Sequence, residues 1–141
     1  MSEVRRRASN IGYYKSMNND LIDKILKKDI RYQREAYNFV FEALEYTIKK
    51  IGKHRHISGG ELLDGIRSYA LQQFGPLSKM VFNKWGVSRT DDFGEIVFNL
   101  VDAELMGKTE EDSKDDFKDR YDFNEVFKVE NIINERDKKS G

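Results

Sequence analysis

The sequence predicts a mainly α fold, a small helical domain, on three observations. Apolar residues recur at spacings of three and four in several segments. Those segments are punctuated by caps and breakers at the right ends. After the last strong helix comes a charged excursion and then an aromatic return, Tyr121, Phe123, Val126 and Phe127. With 141 residues, 38% hydrophobic and 35% charged, the chain is long enough for one domain with a real core under a very polar surface.

The chain divides into a basic N-terminal arm with a short helix (1–30), a helical domain (31–127) and a C-terminal helix or tail (128–141). Residues 1–16 hold Arg5, Arg6 and Arg7 without a regular period and read as a mobile arm. Asn18 or Asn19 caps a short helix over 21–28 whose face is Leu21, Ile22, Ile25 and Leu26; so short a helix must dock on something. The longest helix is expected over 31–51, with Tyr37, Val40, Phe41, Leu44, Ile48 and Ile51 inward and Gly52 as its stop. Tyr32, Ala36, Phe39 and Tyr46 widen the stripe.

Ser58 and Glu61 have the spacing of a capping box, opening a helix that buries Leu62, Leu63, Ile66, Ala70 and Phe74. Gly75 and Pro76 end it and start another, with Leu77, Met80, Val81 and Trp85 inward and Gly86 terminating. Thr90 is the expected N-cap of a last main helix, with Asp91 and Asp92 favourably placed in its first turn. Phe93, Ile96, Val97, Leu100, Val101 and Leu105 are its core stripe, and Gly107 its end. Two assignments of residues 108–123 compete: the strands and tip of a short β-hairpin wing, or a short acidic helix over 109–117 capped by Thr109.

Composition bounds the function. The absence of cysteine removes disulfide, thiol and zinc-thiolate chemistry and points to a reducing, cytoplasmic setting. No apolar run approaches the ~20 residues of a membrane span, so no membrane partner is expected. The net charge of zero hides a gradient: residues 1–60 carry 13 cations against 7 anions, 61–100 carry 4 against 5, and 101–141 carry 8 against 13. Such a dipole either presents its basic end to an anionic partner or folds its ends together.

Two resemblances are carried by whole blocks. REAYNFVFEALEYT, GKHRHISGGELLDGIR, QFGPL, WGV and DFGEIVFNLVDAELMGKTEEDSKDDF, between residues 34 and 117, resemble a small conserved bacterial family without an assigned function, which carries over no catalytic or ligand residue. The helix order and IVFNLVDAELMGKTEE are similar, at the level of fold alone, to winged-helix domains, which would make residues 31–127 a winged-helix-like core.

A winged helix suggests duplex DNA, but the surface charges oppose it. The last helix turns Asp91, Asp92, Glu95, Asn99, Asp102 and Glu104 outward, and the following segment holds Glu110, Glu111, Asp112, Asp115, Asp116 and Asp119, all repelled by phosphate. The better anion site is Lys49, Lys50, Lys53, His54, Arg55 and His56 leading into Ser58, Gly59 and Gly60, where cations meet a helix N-terminus. With Arg5, Arg6 and Arg7 as auxiliary contacts, this surface suits RNA or a ribonucleoprotein such as the ribosome.

The alternative is a protein-interaction adaptor that uses the acidic set Asp91, Asp92, Glu95, Asp102, Glu110, Glu111, Asp112, Asp115 and Asp116 against a basic or helical partner. His54 and His56 lack a third ligand nearby, and residues 110–116 lack the glycine and ligand order of a calcium loop, so no metal is assigned. No cofactor motif, phosphate loop, nucleophile elbow or paired zinc histidines occur. The expectation is a non-catalytic module; a small hydrolase would need a carboxylate and histidine pocket assembled in three dimensions.

Overall fold

The structure, a computed structural model, describes residues 11–52 and 55–132, with side chains in the first helix from Asn19 onward. The chain is mainly helical. The first helix, α1, spans Ile11–Lys28. Its Ile22 and Ile25 dock into the core. The expected short helix thus continues upstream through residues predicted as mobile arm. Gly12 is its one strong breaker, and adding turns to a docked helix costs little. Arg5, Arg6 and Arg7 lie outside the described residues.

Helix α2 spans Arg34–Ile51 and α3 spans Gly59–Phe74. Their pairing is the most extensive in the molecule. Tyr37, Val40, Phe41, Leu44 and Ile48 of α2 meet Leu62, Leu63, Ile66 and Ala70 of α3, as the spacing predicts. Gly65 sits at the crossing: a Cβ there would fall 1.8 Å from the hydroxyl of Thr47, which itself donates to the Ala43 carbonyl at 2.7 Å. Helix α2 starts three residues later than expected. The Asp29 carboxylate accepts from the Arg31 amide at 3.1 Å and grips its guanidinium at 2.9 and 2.8 Å, holding a turn. The Gln33 amide is drawn away to the Trp85 carbonyl.

The expected inward face of α4, Ser78–Lys84, is rotated. A 3-10 turn over Gly75–Leu77 precedes it, and its tighter winding changes the helical phase. Ser78 and Phe82 therefore point inward, while Leu77 and Met80 stand 55% and 65% exposed. Phe82 is the hub of an aromatic core, with Phe39, Trp85, Phe93, Phe123 and Phe127 rings centred 5.2–5.9 Å away. Full burial of one such side chain contributes about 1.5–3 kcal/mol.

Helix α5 spans Thr90–Asp102. Thr90 is its first helical residue rather than its cap, and it is fully buried. The capping work falls to Asp92, whose carboxylate accepts from the Ser88 and Arg89 amides. The helix ends five residues before Gly107, through Glu104 at φ 61° and a Leu105 amide that returns to the Leu100 carbonyl.

The hairpin wing does not form: among the described residues there is no strand. Residues 107–122 run as a coil with one 3-10 turn, Lys114–Phe117, capped by Ser113 rather than Thr109. Asp112 takes the Thr109 amide and Asp116 takes the Ser113 amide, so local side chains claim the donors that a strand ladder would use. The segment is clasped to α5, where the Thr90 hydroxyl donates to the Phe117 carbonyl at 2.7 Å and accepts from the Arg120 amide at 3.0 Å. A short helix, α6, Phe123–Val126, brings Phe123 and Phe127 against Phe82, and helical backbone resumes over residues 129–132.

Candidate functional site

The predicted capping box is present. The Glu61 amide donates to Ser58 Oγ at 3.2 Å, and the Ser58 amide donates to Glu61 Oε1 at 3.0 Å. Arg55 clamps the same carboxylate at 3.1 and 2.5 Å and also donates to the His56 carbonyl. The Arg55 guanidinium, helped by the Ser58 amide, lowers the Glu61 carboxyl to about 2. A depressed carboxylate contributes stability above its unfolded value and loses it as pH falls to the folded one. Acid unfolding should therefore steepen between pH 4.5 and about 2. Glu61→Gln should flatten that window and cost about 1 kcal/mol at pH 7, typical of a lost cap in an exposed setting. Urea unfolding of both proteins at pH 2.5, 4.5 and 7 checks this.

Beyond the cap, the loop meets the acidic segment. His56 Nε2 lies 3.1 Å from Asp112 Oδ1, with the histidine ring a third exposed and the carboxylate nearly buried. Burial would raise the Asp112 carboxyl, but the Thr109 amide at 2.8 Å and His56 outweigh it and hold it low. The two groups stitch residues 55–58 to residues 109–112. Around them opens a cleft of about 310 Å³. His56, Ser58 and Gly60 line one side and Glu111, Asp112 and Asp116 the other, with Thr109 and Arg120 completing it. Residues predicted for two separate surfaces thus share one.

The remaining predicted residues are placed as follows. Lys49 and Lys50 are exposed in the last turn of α2 and make no ion pair among the described residues. Lys53 and His54 lie outside the described residues. Gly59 is buried, where a Cβ would lie 2.8 Å from Asp116 Cβ, whereas Gly60 lines the cleft, where a Cβ would lie 2.8 Å from Arg120 Nη2.

The acidic set is largely committed within the molecule. Asp91 takes the Asp119 amide and Arg89, while Asp92 takes the Tyr32 hydroxyl at 2.7 Å besides its caps. Glu95 takes Lys114 at 3.0 Å and Arg31 at 3.3 Å. Asp102, Glu110, Glu111 and Asp115 remain exposed. His56 on Asp112 joins the basic stretch to the acidic one, while Arg31 and Lys114 both pair with Glu95 of the middle stretch. The acidic surface of α5 is correspondingly weaker than counting suggests, since most of its carboxylates carry a partner.

Sequence reasoning missed Arg120 and Thr109, which sit far from the basic loop in sequence. The signal was local: Arg120 is the cation that closes the acidic run. Among the described residues, no three His, Cys, Asp or Glu side chains converge as metal ligands would. No described helix is long and apolar enough to cross a membrane. Comparison with family models, with curated proteins and with solved structures finds no match to this chain.

Proposed function

We propose that the chain is a binding module for RNA or a ribonucleoprotein, the ribosome included, and that it makes contact through the α2–α3 end. The supporting observation is a group of cations there, interleaved with carboxylates. Lys50 shares a shallow groove with Glu61, Glu61 holds Arg55, and Ser58 beneath it lines the cleft of His56 and Arg120. Lys49, Lys50 and Arg120 have no carboxylate partner among the described residues, so their charge is available to phosphates. Glu111 and Asp116 supply acceptors beside them, which suits a 2′-hydroxyl and therefore RNA over DNA. Lys53, His54 and the arm with Arg5, Arg6 and Arg7 would extend the group.

The His56 and Asp112 pair is the convergence a hydrolase would require. Ser58 Oγ beside it is committed to the Glu61 amide, and we read the pair as a tether. A second reading, a protein-interaction adaptor, is favoured by the exposed Leu77 and Met80 on α4 and by the outward carboxylates Asp102, Glu110, Glu111 and Asp115.

One experiment separates the two readings. RNA co-purifying with the native protein should be lost on nuclease treatment. The triple variant Lys49→Glu, Lys50→Glu, Arg120→Glu should flatten the slope of log affinity against log salt by roughly 2, near 0.7–0.9 for each lost phosphate contact. An unchanged slope overturns the RNA reading, and nuclease-resistant recovery of one protein partner supports the adaptor.

A further inference from the structure

A larger cleft, about 640 Å³, opens between α1 and α5, away from the basic loop and bounded by Lys114 of the acidic segment. That volume suits a small ligand, for which pockets of ~300–1,000 Å³ are usual. Its floor is apolar, from Leu21, Ile25 and Ala103. One end is a polar network that is already satisfied and therefore rigid. Arg31 grips Asp29 and reaches Glu95; Lys114 also holds Glu95; the Asn99 amide donates to Asp29 at 2.9 Å and to the Tyr37 hydroxyl at 3.0 Å. The Arg31 guanidinium keeps the Asp29 carboxyl well below the usual range, so Asp29 stays ionised across ordinary pH.

The other charged groups are exposed and carry no ion pair among the described residues. Lys24 and Lys28 lie one helical turn apart on α1 and both line the cleft, yet neither has a carboxylate partner among the described residues. Two like charges at this spacing repel and are relieved by a shared anion. Across the cleft Asp102 also stands without a cation partner among the described residues, and no ion pair bridges from it to the lysines. A ligand that satisfies both sides carries an anion at one end, hydroxyl donors next to it and an apolar face beyond them.

We propose that this cleft binds a nucleoside monophosphate, its phosphate between Lys24 and Lys28, its base over Leu21 and Ile25, and its ribose hydroxyls donating to Asp102. The site is separate from the RNA-facing cations and does not depend on that reading.

Calorimetric titration of the full chain with adenosine monophosphate, adenosine and inorganic phosphate tests it. The monophosphate should bind, and more tightly than either fragment. Lys24→Gln with Lys28→Gln should weaken it at least roughly tenfold, as expected for losing charged hydrogen bonds, with an unchanged circular dichroism spectrum. Asp102→Asn should weaken the monophosphate while leaving inorganic phosphate unaffected. Lys49→Glu with Lys50→Glu should bind the monophosphate as the parent does. Absent binding, equal affinity for adenosine, affinity unmoved by the α1 lysine pair, or loss in the α2 lysine pair would each overturn the assignment.

Discussion

Phe117→Ala should remove about 3–5 kcal/mol of stability, the range for truncating a large aromatic in a close-packed site. For a domain of this size that lowers the thermal midpoint by roughly 10–20 °C. Phe117 is fully buried although the segment around it is nearly all charged. It fits because two helices withhold a side chain at its position: a Cβ on Gly59 of α3 would lie 2.9 Å from Phe117 Cε1, and a Cβ on Gly94 of α5 would lie 2.9 Å from Phe117 Cβ. The ring is a plug between helices that little else joins, so neighbouring side chains cannot collapse into the void. Because Phe117 also anchors the stretch bearing Asp112 and Asp116, the variant should lose protection of the Thr109 and Asp116 amides in hydrogen exchange before global unfolding. A loss under about 1.5 kcal/mol would mean the segment is not anchored through this ring.

Gly86→Ala is expected to cost about 2–5 kcal/mol, from two terms. The residue sits at φ 92°, a conformation that costs an ordinary residue ~1–2 kcal/mol, and a Cβ there would lie 2.1 Å from the Arg31 backbone carbonyl, an overpacking that adds ~1–3 kcal/mol. Backbone cannot swing aside as a flexible side chain would. The displaced turn carries Arg31 and the Gln33 amide, bonded to the Trp85 carbonyl at 3.0 Å, so the entry to α2 should shift as well. Gly52→Ala is the internal control: its φ is 75° but nothing lies within 4 Å of an added Cβ, so only the conformational cost of about 1 kcal/mol should appear. Equal denaturant midpoints for the two variants would contradict the collision.

Where the sequence was legible, the reason is local. The stripe of α2, the Ser58 and Glu61 box and the Gly52 stop each rest on residues within a few positions of one another, and all stand where expected. The errors come from long-range demands. Thr90 has the chemistry of a cap, but the Phe117 carbonyl and Arg120 amide recruit its hydroxyl, and Asp92 caps in its place. Met80 has the hydropathy of a core residue, but a 3-10 turn shifts the helix and hands the interior to Phe82. The hairpin failed because Asp112, Ser113 and Asp116 satisfy their neighbours' amides without a second strand. The candidate site was half legible: each half was named, but their meeting through His56 and Asp112 spans 56 positions and leaves no periodic trace.

The aromatic hub also bears on how the chain is made. Phe82 and Phe93 rest on Phe123 and Phe127, which leave the ribosome last among these rings. A nascent chain that has completed α1 to α5 therefore holds an open, apolar face until the 25 residues from 103 to Phe127 have emerged, and the closing step of this core waits on them. The acidic run 110–119, which emerges just ahead of those two rings, sets charge beside that face before it closes.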